Sequence, residues 1–84
     1  MLLVEEIIDQ AHDAALDARG LRCPLPVLKA RKALRCLKKG ERLALVTSDL
    51  KSPQDVHAFC REEGHLLEEA QSTESPYLFY IRKG

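Results

Sequence analysis

Cys23 is the residue of this sequence best placed to do chemistry. It lies in the run Arg22-Cys23-Pro24-Leu25-Pro26, directly before a segment with helical periodicity. Proline is tolerated in the first helical turn, because its missing N–H would have no partner there. The run therefore predicts Cys23 at a helix start, where unpaired N–H groups and the helix dipole favour an anion. With Arg22 adjacent, we expect a thiol of depressed pKa that acts as a nucleophile.

The chain offers Cys23 little catalytic support of its own. A cysteine hydrolase needs a histidine base within reach, and the three histidines are expected at the surface, at a strand edge or in the N-terminal tail (His12, His57, His65). No resolving cysteine neighbours Cys23, which disfavours a dithiol oxidoreductase. A nucleophilic sulfur of this kind suits a carrier more than a stand-alone enzyme. The alternatives are a regulatory or interaction module in which Cys23 is only structural, and a small thiol-redox protein.

Composition narrows the class of protein further. With 84 residues the chain is expected to form one domain, and its 13 basic and 13 acidic side chains give no broad case for direct nucleic-acid binding. It contains no apolar run of the ~20 residues that span a bilayer and no secretory signal, so we expect a cytoplasmic protein without membrane contact. The remaining cysteines, Cys36 and Cys60, are expected to be structural. Their spacing predicts neither a disulfide scaffold nor a metal site, and no cofactor is predicted.

The elements that must position Cys23 follow from hydrophobic periodicity and turn residues. The predicted strands cover residues 14–18, 43–47, 66–71 and 77–82, and the predicted helices cover 25–38 and 53–63. Gly40 is expected to follow the first helix, Ser52 to cap the second and Gly64 to end it. The continuous apolar run 43–47 is typical of a strand buried on both faces. We predict an α/β (α+β) two-layer sandwich of βαβαββ order, with two helices packed on a four-stranded mixed sheet.

Residues 1–12 stand apart from this pattern. Val4, Ile7, Ile8 and Ala11 recur at helical spacing, with acidic and amide side chains between them. The segment is expected to be an N-terminal extension, either a short amphipathic helix or a frayed terminus. Residues 13–84 are expected to form the single domain.

The residues around Cys23 resemble a known family. The run Leu16-Asp17-Ala18-Arg19-Gly20-Leu21-Arg22-Cys23-Pro24-Leu25-Pro26 is similar to the Cys-Pro-x-Pro signature of the TusA/SirA-like family. Further similar positions are Gly40-Glu41, Ser48-Asp49, Ala58-Phe59-Cys60, Gly64-His65 and Ile81-Arg82-Lys83. One departure is Leu50 after Asp49, where the family often has proline.

The resemblance implies a sulfur carrier with the fold predicted above. Cys23 would accept a persulfide sulfur from a cysteine desulfurase or a rhodanese-like donor and relay it to a downstream acceptor protein. Gly20, Arg22, Pro24 and Pro26 would support it. The family's branches serve tRNA thiolation, sulfur oxidation, molybdenum-cofactor or selenium metabolism, and all of these stay open here.

Basic residues on the first long helix are candidates for docking these partners. Arg31, Lys32 and Arg35 follow Cys23 along the helix, and a basic face beside the sulfur would steer an acidic partner surface toward it. Asp49, after the second strand, is a further docking candidate. The alternative is an ordinary solvated helix face.

Overall fold

The computed structural model describes residues 2–84, apart from the side chain of Glu69. Its elements are α1 (Val4–Ile7), β1 (Ala14–Ala18), α2 (Leu25–Arg35), β2 (Arg42–Thr47), α3 (Ser52–Glu63), β3 (Leu66–Gln71) and β4 (Tyr77–Arg82). The strands form one sheet in the order β1-β2-β4-β3. β1 runs parallel to β2, whereas β4 is antiparallel to both of its neighbours. The predicted two-layer fold and its four-stranded mixed sheet are confirmed.

The main core lies between the sheet and the two long helices. α2 contributes Ala30 and Leu34, and α3 contributes Val56 and Phe59. Their partners are side chains of β2 and β4 that point to this face of the sheet, namely Leu43, Leu45, Tyr77, Phe79 and Ile81. The alternation along β4 follows the period of two for strand side chains. This core holds both helices, and therefore the loops that precede them, at fixed positions on the sheet.

The opposite face of the sheet is covered by the N-terminal segment. Ile8 is buried there, with Val4 and Ile7 half-buried beside it. They pack on the β2 and β4 side chains of this face, which are Ala44, Val46, Leu78 and Tyr80. The structure thus contains a third, short helix in addition to the two predicted long ones. β2 is buried on both faces, as its apolar run indicates.

The Tyr80 hydroxyl fastens this segment to the sheet. It accepts hydrogen bonds from the N–H groups of Asp9 and Gln10, both at 3.1 Å, and donates one to Asp9 Oδ1. The Arg42 guanidinium lies 4.4 Å from the centre of the Tyr80 ring and donates to the Ala11 carbonyl. The segment is therefore held by polar contacts as well as by apolar burial.

Two predicted helix boundaries are wrong. α2 ends at Arg35, three residues before the predicted end, and a turn closed by the Glu41 N–H and the Lys38 carbonyl follows, with Gly40 at φ +89°. Ser52 is the first residue of α3 and makes no capping bond to it. Its buried hydroxyl instead donates to the Asp49 carbonyl at 2.5 Å and lies 2.6 Å from Thr47 Oγ1. The Ser52 hydroxyl therefore bonds the preceding loop and not the N–H groups of the first turn of α3.

Candidate functional site

Two loops at one edge of the sheet hold Cys23. β1 and β2 are parallel and in register from Ala14↔Leu43 to Ala18↔Thr47, so both chains leave the sheet at the same edge. Residues 19–24 follow β1, and residues 48–51 follow β2. In open α/β sheets, this carboxyl edge is where ligands bind. The candidate site therefore lies at the carboxyl edge of the two parallel strands.

Hydrogen bonds between these loops fix the backbone of the cysteine loop. The Gly20 N–H donates to Ser48 Oγ at 2.8 Å, and the Cys23 N–H donates to Asp49 Oδ2 at 3.0 Å. Gly20 has φ +83°, a conformation that side-chain-bearing residues rarely adopt. Asp49, predicted as a docking residue, is thus placed in direct contact with the cysteine loop.

Cys23 is exposed and borders a shallow cavity of about 190 Å³ between α2 and α3. Val27 and Arg31 line it from α2, and Asp55, Phe59 and Glu62 are among its lining residues from α3. The Cys23 thiol is therefore accessible from solvent and does not lie in a deep enclosed pocket.

The prediction of a depressed Cys23 pKa is wrong. A hydrogen bond to the Asp55 carboxylate raises the pKa of the Cys23 thiol, with smaller contributions from desolvation and the charge of Asp49. Lys51, rather than Arg22, is the cation that opposes this shift. A nearby negative charge disfavours formation of the thiolate.

The expected N–H donors at the helix start are engaged elsewhere. α2 begins at Leu25, whose N–H donates to the Arg22 carbonyl at 2.8 Å. The N–H of Cys23 is directed to Asp49. Pro24 and Pro26 have none to offer. The two prolines do mark the start of the helix as predicted, but they also remove donors that would have stabilised an anionic sulfur.

The other two cysteines differ in environment. Cys60 is buried in the main core, and burial raises the pKa of its thiol to about 11. Cys36 lies just after α2 and is exposed, which its expected structural role did not indicate. All three cysteines are free thiols.

The basic residues of α2 do not form one uniform face. Arg31 Nη2 lies 2.7 Å from Glu63 Oε2, and its guanidinium lies 5.5 Å from the centre of the Phe59 ring. Arg31 therefore bridges α2 to α3 beside Cys23. Lys32 and Arg35 are exposed, and Arg35 borders a neighbouring cavity with Arg31. The structure brings only Arg31 to the cavity of Cys23.

Several features of the site were not foreseen. Asp55 was not predicted as a site residue, but it lines the cavity beside Cys23 and raises the pKa of the Cys23 thiol. Three leucines around the cysteine loop are exposed: Leu25 by 44%, Leu28 by 46% and Leu50 by 82%. Leu25 and Leu28 are one helical turn apart, and this spacing in the sequence could have indicated a shared face.

The described residues contain no group of three or more histidine, cysteine or acidic side chains suited to hold a metal ion. His57 is exposed, and His12 lies in the N-terminal segment. His65 Nδ1 accepts a hydrogen bond from the Gly84 N–H at 3.1 Å. In the described part of the chain, each helix is too short or too polar to cross a membrane.

Comparisons with known proteins agree with this fold. The model of the family described as Sulfurtransferase TusA matches residues 14–83. The crystal structure of a SirA-like protein from Desulfitobacterium hafniense has a TM-score of 0.68 to this chain at 22% sequence identity. The match covers 83% of this chain and 95% of that chain, and at this identity it supports the fold alone.

The chain belongs to the TusA sulfurtransferase family. Membership supports a sulfur-carrier role in general and implies partners in a sulfur relay. The family match begins at β1, so the N-terminal segment that covers the second face of the sheet lies outside it.

Proposed function

We propose that this chain carries sulfur as a persulfide on Cys23. A cysteine desulfurase or a rhodanese-like protein would load it, and a downstream acceptor protein would unload it, in tRNA thiolation or another sulfur-transfer pathway. The observation that carries the proposal is the exposed Cys23 thiol on a loop fixed by Gly20–Ser48 and Cys23–Asp49 hydrogen bonds. A fixed and accessible sulfur can be presented to successive partners without rearrangement of the fold.

The environment of Cys23 favours this role over the alternatives. A structural cysteine is normally buried among apolar side chains, as Cys60 is. Cys23 packs in neither apolar cluster of the described residues. Within those residues, two carboxylates and a lysine are the titratable groups that shift the pKa of Cys23, and no histidine base contributes to this shift. The chain therefore depends on partners to start and finish the transfer.

Partner docking would cover the surface around Cys23, because sulfur transfer requires bond-forming contact. Leu25, Leu28 and Leu50 flank the cysteine loop and offer apolar area for burial at such an interface. Arg22 is exposed beside Cys23. Lys32 and Arg35 add exposed positive charge further along α2. We assign docking of an acidic donor surface to Lys32 and Arg35.

The proposal extends to the organisation and location of the chain. Residues 13–84 form a single TusA-like domain, and residues 1–12 are an extension to it. A reducing cytoplasm is the compartment in which Cys23 would stay available, since exposed thiols are oxidised elsewhere.

Intact-mass spectrometry after incubation with a cysteine desulfurase and cysteine tests the proposal. The wild-type chain is expected to gain the mass of one sulfur atom, which a reductant removes. Cys23→Ser should gain none. Cys36→Ser is the matched control, because Cys36 is also exposed, and it should load like the wild type. Loading of Cys23→Ser to the wild-type extent would contradict the proposal.

A further inference from the structure

A pair of buried hydroxyl groups lies behind the loop that holds Cys23. Thr47 is the last residue of β2 and Ser52 is the first residue of α3, and both are buried. In the described part of the chain, the other buried side chains are apolar, apart from two tyrosines and Cys60. A buried hydroxyl is costly unless it is hydrogen-bonded, whereas an apolar pair of the same shape is about as stable. Stability alone therefore does not explain the pair.

The directions of the hydrogen bonds in this pair follow from the single proton of each hydroxyl. The Ser52 hydroxyl donates to the Asp49 carbonyl at 2.5 Å, and the Ser52 N–H donates to the same carbonyl at 3.0 Å. The hydroxyl proton of Ser52 is thus used, so the Thr47 hydroxyl is the donor in its 2.6 Å contact with Ser52 Oγ. Ser52 therefore holds the Asp49 carbonyl by two bonds, and Thr47 holds Ser52.

The hydrogen bonds continue from Asp49 to the backbone of Cys23. Asp49 Oδ2 accepts the Cys23 N–H at 3.0 Å, and the adjacent Ser48 Oγ accepts the Gly20 N–H at 2.8 Å. Asp49 is half-buried, whereas Cys23 is exposed. The cysteine loop is thus held by two consecutive side chains of the loop after β2. The position of the Cys23 backbone therefore depends on the carbonyl that Ser52 holds.

We propose that Ser52 is a positioning residue for sulfur transfer, which acts through Asp49 on the backbone of Cys23. This inference rests on the carrier function proposed above. Ser52 forms no bond to the reacting atoms. Its two bonds to the Asp49 carbonyl fix the loop whose carboxylate holds the Cys23 N–H, so the sulfur is presented to each partner in one position.

The transfer step shows why the position of the sulfur matters. Cys23 Sγ forms a bond to the terminal sulfur of the donor's persulfide, and the bond between that sulfur and the donor's cysteine breaks. The proton of Cys23 ends on the departing sulfur, so a thiol and a persulfide give a persulfide and a thiol without an oxidant or reductant. The attacking, transferred and departing sulfurs must align. A shift of about 1 Å in an attacking atom can lower a rate about a hundredfold.

Sulfur uptake by Ser52→Ala from a persulfide-loaded cysteine desulfurase tests the inference. The initial rate of persulfide formation on Cys23 is measured over a range of desulfurase concentrations. The maximal rate should fall about tenfold, because the sulfur is less well positioned. The desulfurase concentration that gives half the maximal rate should stay close to the wild-type value, because the substitution changes no charge and no exposed side chain. An unchanged maximal rate would overturn the inference.

Two further variants separate positioning from a general loss of stability. Ile8→Ala also truncates a buried side chain, but in the cluster that the N-terminal segment forms, and it should keep the wild-type maximal rate. Thr47→Val loses the bond behind Ser52 but keeps the bond from Ser52 to Asp49, so it should slow uptake less than Ser52→Ala does. The inference is wrong if Ile8→Ala is as slow as Ser52→Ala, or if Thr47→Val is the slower of the two hydroxyl variants.

Amide hydrogen exchange of the free chain, followed by NMR, gives a second measurement without any sulfur donor. In the wild type, the hydrogen-bonded Cys23 N–H should exchange at least about tenfold more slowly than an unprotected amide, although Cys23 is exposed. Its exchange should be faster in Ser52→Ala than in Ile8→Ala. An unprotected Cys23 N–H in the wild type would contradict the inference, and this result does not depend on the folding of any variant.

These results are separable from the carrier function. If the wild type loads with sulfur and Ser52→Ala loads equally fast, only the positioning role of Ser52 fails. If the wild type never loads on Cys23, the carrier function fails, and the exchange rates still decide whether Ser52 holds the Cys23 backbone.

Discussion

The three cysteines of the chain lie in different environments. Cys23 is exposed beside two carboxylates, Cys36 is exposed at the end of α2, and Cys60 is enclosed by the core. Reactivity of a thiol follows its pKa and its exposure. Cys60 should therefore react slowest of the three.

Burial of Cys60 predicts a loss of stability at alkaline pH. Its pKa rises from 9.0 to about 11 in the folded chain. The unfolded chain loses this proton near pH 9, but the folded chain retains it until near pH 11. The contribution of Cys60 is therefore fully present below pH 9 and is lost as the pH rises toward 11.

Denaturant unfolding below pH 9 and again close to pH 11 measures this effect. The free energy of unfolding should fall more steeply in the wild type than in Cys60→Ala. Cys36→Ala, which alters an exposed cysteine, should retain the wild-type slope. Equal slopes in wild type and Cys60→Ala would show that burial does not control this titration.

At the scale of elements, local sequence signals located the strands and the start of α2. The strand at 14–18 and the two strands of the C-terminal hairpin have the predicted bounds. Pro24 and Pro26 mark the start of α2 because proline is compatible only with the first helical turn. The end of α2 was misplaced, since basic side chains at Lys38 and Lys39 suit a helix terminus and a turn equally.

The contacts that define the site could not be predicted from local signals. Asp55 and Cys23 line the same cavity, although more than thirty residues separate them in the sequence. Ser52 has the residue type of a helix cap, yet its hydroxyl bonds Asp49 and Thr47. Both outcomes depend on how two loops meet at the edge of the sheet, which periodicity and capping rules do not describe.

Exposed positive charge on α2 predicts electrostatic steering of the sulfur donor. Reversing both charges in Lys32→Glu/Arg35→Glu should slow sulfur uptake roughly tenfold at low salt and weaken its salt dependence. Arg31 is left intact because its ion pair with Glu63 joins α2 to α3. The measurement is the initial rate of persulfide formation at several salt concentrations.

Lys38→Glu/Lys39→Glu is the matched control, since both residues are exposed and lie beyond the end of α2. It makes the same change in net charge farther along the chain from Cys23. If both double variants slow uptake equally, net charge rather than docking explains the effect. An unchanged rate in Lys32→Glu/Arg35→Glu would exclude docking through this face.

At the scale of the whole molecule, the sheet is covered on both faces by different means. The two long helices cover one face, and α1 with Ile8 covers the other. The apolar run of β2 indicates burial on both faces, but the two predicted helices account for one only. The apolar run thus indicated that a further element packs on the second face of the sheet. The residues that do so, Val4, Ile7 and Ile8, stand at helical spacing in the sequence.

Truncation of Ile8 should destabilise the fold without affecting sulfur chemistry. Ile8 is 9% exposed and packs on Val46, Leu78 and Tyr80. Ile8→Ala should lower the free energy of unfolding by about 2 kcal/mol, the lower end for such a truncation. Leu3→Ala, at a side chain that is 62% exposed, is the control and should change it by less than about 0.5 kcal/mol.

Urea unfolding of the two variants supplies the comparison, with persulfide loading measured on the same samples. Ile8→Ala should load sulfur like the wild type, because Ile8 packs in an apolar cluster of which Cys23 is not a member. Equal stability of Ile8→Ala and Leu3→Ala would contradict the role of this segment as a cover.

The most direct test of the carrier function is to locate the sulfur after loading. The chain is incubated with a cysteine desulfurase and cysteine, its persulfides are trapped by alkylation, and its peptides are analysed by mass spectrometry. The added sulfur is expected on the peptide that contains Cys23, and it should leave that peptide when an acceptor thiol is supplied. Sulfur found on Cys36 or Cys60, with Cys23 unmodified, would contradict the account.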